Sequence, residues 1–344
     1  MIRYFNIPVS IIDKRPNRYV DISLFDPEVF IDLVTAGMRA SWASILRCAS
    51  IHYKGKNRTL ENRIAHVSLD LENSLKSIES GRLILAKENG TEHEGRSTEL
   101  ISVGLCILLA SRLFGVNFNR FRPILGTGKR MDFDLVQSNL SVVKIEAKGR
   151  QKNIARAIHD IFKKKEVSGF VGPQYGFLSM LPRESGEAHV YITDPQAESK
   201  DLSQSELIMR ILRHYADVAD LCGFWRMALK IRERIKALLA ESDVYLLSGV
   251  PLEYSNVYKV GRMRTYVTSQ LSAHTFVKPN DAGYTLSEKD DRIARFALED
   301  KIASILDQQD YEELLSYTLG AEEDFIENGI QYSCGNDGCV MVIT

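Results

Sequence analysis

Four residues between positions 129 and 150 carry side chains that could hold a cation and move a proton: Asp132, Asp134, Glu146 and Lys148. The stretch KRMDFDLVQSNLSVVKIEAKGR reads as two short strands joined by a polar turn. Strand side chains alternate between faces. Met131, Phe133 and Leu135 then share one face, with Asp132 and Asp134 on the other. Likewise Val143, Ile145 and Ala147 oppose Lys144, Glu146 and Lys148. A turn centred on Asn139 sets Asp132 opposite Glu146 and Asp134 opposite Lys144. Directly opposed side chains have Cβ atoms about 4.5–5.5 Å apart. Two carboxylates held that near repel unless something cationic stands between them, and a hard divalent ion with oxygen ligands does this. Lys148, two residues beyond Glu146, leans over the same spot. Such a set suits metal-assisted phosphodiester hydrolysis. The metal polarises a phosphoryl oxygen and acidifies a bound water, and the ammonium orients that water or steadies developing charge. The same spacing also fits an exposed sheet face with ordinary cross-strand ion pairs.

The surrounding sequence must position these groups. Thr91, Glu92, His93 and Glu94 form a capping-box pattern. A helix follows to about Phe114, apolar on nearly every side from Leu100 to Leu113 and so expected to be buried. Residues 116–125 read as a strand ending in the turn Gly126, Thr127, Gly128. The hairpin follows, then a helix from Asn153 to Glu166, a glycine-rich loop over 169–176 and a strand over 189–193. The order is helix, three strands, helix, strand. Upstream, residues 2–12 suit a strand. Asp26 and Pro27 open a helix running past Trp42, and residues 60–80 suit another. Downstream, helices are expected over 203–221 and 224–240, split at Gly223. A buried strand is expected over 244–250, β structure over 257–276 and mostly helix over 290–319. Gly335, Asn336, Asp337 and Gly338 are a strong hairpin-turn signal.

Asp132 together with Glu146, Ala147 and Lys148 resembles the signature of the PD-(D/E)xK nuclease superfamily. That family's core runs helix, three antiparallel strands, helix, strand, and the order over residues 91–195 is similar. Met131 stands where the family often has proline. The resemblance implies a restriction-endonuclease-like α/β core, an α+β mixed sheet. It implies that Asp132, Glu146 and the Ala147 carbonyl hold Mg²⁺ (or Mn²⁺), with Lys148 the catalytic lysine. Glu99, on the preceding helix, would be a further ligand, direct or through water; a helix-start glutamate is equally accounted for by the helix dipole. The resemblance further implies an enzyme acting on DNA rather than RNA, with a role in defence against foreign DNA.

A basic face lies just beyond this motif. On the helix from Asn153, Ile154, Ile158, Ile161 and Phe162 form one apolar stripe, and Lys152, Arg156, His159 and Lys163 fall opposite. With Arg150, Lys164 and Lys165 these make a compact patch of the kind that grips phosphate backbones, although a solvated helix face has the same composition. Other candidates are weaker: Lys259, Arg262 and Arg264 interleaved with Tyr258 and Tyr266, and His52 in a basic loop. Gly126 to Lys129 lacks the earlier glycine of a phosphate loop.

Net charge is −1 over 344 residues, so any polyanion-binding surface must be local. The five cysteines are odd in number and scattered, which argues against a disulfide scaffold and for a reducing, cytoplasmic setting. Arg3 and Asn6 interrupt any signal-like apolar run, and no uncharged apolar stretch is long enough to span a membrane. Three parts are expected: a mainly helical region over 1–89, the nuclease core over 90–198, and a C-terminal α/β region over 199–344. The last is assigned to specificity, a protein partner or homodimerisation, and the regions flanking the core are expected to be mainly helical. The leading alternative function is a non-catalytic nucleic-acid-binding or assembly subunit that retains the nuclease fold. A metal-dependent phosphohydrolase acting on a nucleotide is the third.

Overall fold

The computed structural model describes residues 4–12, 20–52, 83, 91–124, 131–167, 172–182, 186–193, 200–201, 203–241, 263–265, 275–277, 284–285, 293–317, 322–327 and 329–343. The expected helix over 60–80, the strand over 244–250, the turn at 126–128 and the Lys259, Arg262, Tyr258 and Tyr266 cluster lie outside them.

In chain order the first elements are β1 (Tyr4–Ile7), β2 (Val9–Ile11), α1 (Pro27–Ala36), β3 (Met38–Ser41) and α2 (Trp42–His52). Next come α3 (Thr91–Leu113), a 3₁₀ turn at Phe118–Arg120, β4 (Phe121–Pro123), β5 (Phe133–Val136), β6 (Ser141–Arg150) and α4 (Ile154–Val167). The chain goes on through β7 (Gln174–Met180), β8 (His189–Thr193), β9 (Lys200–Asp201), α5 (Gln204–Leu221) and α6 (Trp225–Glu241). It closes with β10 (Met263–Thr265), β11 (Thr275–Val277), β12 (Tyr284–Thr285), β13 (Ile293–Glu299), α7 (Asp300–Gln308), α8 (Tyr311–Ser316), β14 (Glu323–Glu327), β15 (Ile330–Cys334) and β16 (Cys339–Ile343). The class is mixed α/β.

From Phe133 to Val136 the β5–β6 hairpin forms in the register read from the sequence, with Asp134 opposite Lys144 and Phe133 opposite Ile145; the expected pairing of Asp132 with Glu146 is displaced, since Asp132 N–H donates to the Ile145 carbonyl. Its turn is closed by Leu140 N–H donating to the Gln137 carbonyl and by the Asn139 side chain accepting from Ser141 N–H. Around it grows a sheet in the order β2-β8-β7-β6-β5-β4, with β9 beside β6. The pairs β4–β5 and β5–β6 are antiparallel, whereas β6 and β7 run parallel, connected over the sheet by α4. The glycine-rich stretch expected as a loop over 169–176 therefore gives way at Gln174 to a central strand. Every residue from Gln174 to Ser179 is buried, so the strand has no polar alternation by which to be recognised.

Helix α3 is packed against β6 at unusually short range. A Cβ at Gly149 would lie 2.4 Å from both Ser102 Oγ and the Thr98 carbonyl oxygen. Gly149→Ala is therefore expected to push α3 off the sheet and to destabilise the protein by about 1–3 kcal/mol. Urea unfolding of the variant measures this, and an unchanged midpoint would show that the two elements are not locked together. Because Glu99 follows Thr98, the same substitution should also disturb the site below.

Three expectations need correction. The helix from Pro27 stops at Ala36, because Gly37 adopts φ +83°; Met38–Ser41 then forms β3 beside β1 before α2 begins. Residues 290–319 are not mostly helical: Ile293–Glu299 is a strand and two short helices follow. The C-terminal region as a whole is not mainly helical either, since it contains a second seven-stranded sheet in the order β10-β11-β13-β16-β15-β14, with β12 beside β13. In the N-terminal region β2 pairs in parallel with β8. One hydrophobic core runs from Phe5 to Ile343 across all three parts. Among the described residues no helix is long and apolar enough to cross a membrane.

Candidate active site

Asp132 sits where the hairpin ladder slips. Its N–H donates to the Ile145 carbonyl, although Ile145 is already the partner of Phe133. Two residues of one strand thus face one of the other, the arrangement of a β-bulge, which re-aims a side chain. Asp132 Oδ2 reaches across and accepts from Ala147 N–H at 3.0 Å. That bond ties the first carboxylate to the strand carrying the second. Glu146 is 1% exposed. Its Oε1 accepts from the Lys164 ammonium, which also lies 3.7 Å from Asp132 Oδ1. Its Oε2 is buried with no hydrogen-bond partner.

The residue that joins the two carboxylates is Lys164, which projects from α4. Its contribution was hidden in the sequence as one of several basic residues near the end of a helix. The predicted lysine, Lys148, stands within charge range of Glu146 and Glu99, but it forms no ion pair with the acidic pair comparable to that of Lys164.

Burial, and then the nearby Asp132, raises Glu146 from the ordinary 4.5 to about 8, even though Lys164 and Lys148 pull it down. Burial works against the charge of Lys164, but Asp132 and Glu146 outweigh it and hold the ammonium above its usual value. Glu99 is pushed up by loss of solvation and by Asp132, against the pull of Lys148, Lys164 and Arg150.

The sign for stability follows. Between 4.5 and about 8 the folded protein keeps a proton on Glu146 that the unfolded chain releases, so stability falls as pH rises through that window. Glu146→Gln should remove this slope and stabilise the metal-free protein at pH 8 by on the order of 1–3 kcal/mol. Thermal unfolding of both proteins in a chelator at several pH values reads it. Parallel curves for the two proteins would show that Glu146 ionises normally.

The donor set fits a hard divalent ion in part. Two carboxyl groups converge, and one of them has an orphaned buried oxygen, which is costly unless a cation or donor meets it. Among the described residues, no three His, Cys, Asp or Glu side chains form a group that could hold a metal ion. Glu99 is close enough to feel Asp132 but does not complete such a group. An ion here would rely on backbone carbonyl, water or substrate for its remaining ligands, which is how Mg²⁺ is usually bound.

Asp134 does not behave as a second ligand. It lies opposite Lys144, but its Oδ2 is 3.4 Å from the Arg210 guanidinium of α5. The basic face is placed as its periodicity implies. Ala157, Ile158, Ile161, Phe162 and Leu178 form a buried cluster with Ile154 against it, while Lys152, Arg156, His159 and Lys163 are exposed. Three members of the expected patch are otherwise engaged, Lys164 among them with the acidic pair. Arg150 pairs with Asp160 at 3.1 Å, and Lys165 is buried. All five cysteines are free and buried, including Cys334 and Cys339, which flank the terminal hairpin turn.

No protein-family model, curated protein or solved structure matches the chain.

Proposed function

We propose that the chain is a divalent-metal-dependent nuclease with a restriction-endonuclease-like core. Its substrate is nucleic acid, DNA in preference to RNA, and the resemblance of its motif suggests defence against foreign DNA in the cytoplasm. The observation that carries this reading is the Asp132–Glu146 pair, fixed on adjacent strands with one buried oxygen unsatisfied and a lysine across it. Asp132, Glu146 and the Ala147 carbonyl would hold Mg²⁺ or Mn²⁺, with Glu99 acting through water. A bound divalent ion polarises the scissile phosphoryl group and lowers the pKa of water.

The chain's own residues do the rest. Ala147 N–H keeps the Asp132 carboxylate turned toward Glu146. Lys164 and Lys148 place positive charge where phosphate charge develops. Lys152, Arg156, His159 and Lys163 grip the strand backbone through phosphate contacts, which position without reading sequence. A protein partner or second copy bound through residues 199–344 completes the proposal.

One observation favours a second reading. Lys164 already neutralises both carboxylates, as in a structural ion pair, and that suits a binding or assembly subunit without turnover. The two separate by incubating the full chain with plasmid, linear and single-stranded DNA and with RNA in Mg²⁺ or Mn²⁺, beside a Glu146→Ala control. Cleavage lost in the control supports the nuclease. A folded protein with neither cleavage nor metal affinity supports the subunit.

A further inference from the structure

A cavity of about 300 Å³ opens between the end of α2, strand β4 and helix α5. Its chemistry is opposite to that of the acidic pair. Arg122 enters from β4, and Arg210 and Arg213 enter from α5, three residues apart and so on one helix face. The rings of His52 and His214 stack at 5.7 Å on the wall beside them. His214 is fixed there by Asp337 at 2.6 Å.

Three guanidinium groups share this space, and two of them stand without an ion pair among the described residues. Asp134 takes up Arg210 at 3.4 Å, with the charge of Glu206 also acting on it, and Asp217, which also lines the cavity, lies 3.8 Å from Arg232. Arg122 and Arg213 have no ion pair among the described residues. Arg210 Nη1 is the atom that faces Asp134 Oδ2, an ion pair without a closer hydrogen bond. Loss of solvation, and then repulsion from Arg122 and Arg210, lowers the pKa of Arg213. Like charges gathered in a half-buried cleft are unfavourable until an anion joins them, and the planar donor fork of arginine matches the oxygens of a phosphate.

We infer that this cavity binds a phosphate group, carried either by a free nucleotide or pyrophosphate or by the backbone of a nucleic-acid strand. Its size is at the lower end for a small-ligand site. Arg210 connects it to Asp134, two residues beyond Asp132, so an occupied pocket would adjoin the segment that carries one member of the acidic pair. The inference does not depend on the nuclease reading, because it concerns binding alone.

The test is calorimetric titration of the intact protein in a chelator, so that no strand is cut. The probes are pyrophosphate, ADP and a short oligothymidylate, each with wild type, Arg122→Gln and Arg213→Gln. These two arginines are only half-buried and lack an acidic partner, so neither substitution strands a buried carboxylate. Binding of at least one probe is expected, weakened about tenfold or more by either substitution and weakened also by salt. Binding of ADP or pyrophosphate identifies a free phosphate compound. Binding of the oligonucleotide alone identifies a strand, provided that an Arg156→Gln, Lys163→Gln variant still binds it there. Failure of folded wild type to bind any probe overturns the inference. So does binding indifferent to both arginine substitutions, or oligonucleotide binding lost only with the α4 face.

Discussion

If the chain cleaves phosphodiesters as proposed, Lys164→Met is expected to lower the rate by about 10²–10³-fold and to move the acid limb of the pH profile upward. Both effects come from one position. The ammonium touches Glu146 and stands 3.7 Å from Asp132, so its removal takes away the charge nearest the two carboxylates. For Glu146, Lys164 acts downward by its charge and by its hydrogen bond, ahead of Lys148. Without it, burial and Asp132 push Glu146 further up, and a larger share of the protein is protonated at neutral pH. Activity should therefore return in part as pH is raised. Lys148→Met should shift the profile less, because its contribution to Glu146 is smaller. Measuring kcat and KM against pH for both variants decides the matter. An unmoved profile in Lys164→Met, with full loss in Lys148→Met, would return the catalytic role to the strand lysine and make Lys164 a structural counter-charge.

That contrast shows what the sequence could and could not reveal about the site. Asp132, Glu146, Ala147 and Lys148 are close in sequence and lie on a hairpin whose register follows from strand alternation and one turn, so their proximity was legible. Lys164 is 18 residues from Glu146, on a helix that returns over the sheet. Its reach depends on how α4 settles on β6 and β7, which no local spacing encodes. In the basic run at the end of that helix, Lys163 is exposed, Lys164 meets the acids and Lys165 is buried. Three identical neighbours thus have three fates, set by helix phase against a surface invisible in the sequence. The arginine cavity was hidden for a related reason: Arg122 and Arg213 come from elements about ninety positions apart, and α5 was legible as a helix but not its target.

For the fold, amphipathic elements with clear stops were legible. The 3.6-residue stripe of α4, the split between α5 and α6 at Gly223 and the turn before β16 all follow local rules. Elements buried on both sides were not. β7 lacks polar alternation, and its glycine and proline neighbours favoured a loop reading. β13 holds Phe296 and Leu298 among charged residues and was absorbed into a helical estimate. It is instead flanked by β11, β12 and β16, partners that lie from about twenty positions upstream to about fifty downstream.

Asp337→Ala should be the most destabilising single change in the C-terminal half, by about 3–5 kcal/mol. Asp337 is fully buried in the β15–β16 turn. Its carboxylate accepts from His214 Nε2 at 2.6 Å and from Cys339 N–H at 3.1 Å, and its carbonyl accepts from the Tyr215 hydroxyl at 2.8 Å. The neighbouring Arg47 is also fully buried, with Glu322 at 3.2 Å, Ser333 Oγ at 3.2 Å and the Phe118 ring beneath it. Glu322 pairs with Arg112 as well. The cluster thus ties α2, α3 and α5 to the second sheet through mostly buried polar groups. Burial alone would raise Asp337, but His214 and Arg47 hold it below the ordinary 3.8. Its stabilisation is therefore complete above that value and is lost as pH falls through the lower folded value. Removing the carboxylate leaves Arg47 and His214 facing each other's surroundings without their shared anion, which is the expensive way to break a buried pair. Urea unfolding of Asp337→Ala, Arg47→Met and the double variant gives the coupling directly. The double variant should lose less than the sum of the two, because Arg47→Met removes the charge that Asp337→Ala would strand. Strict additivity would mean that Asp337 and Arg47 do not share one electrostatic unit.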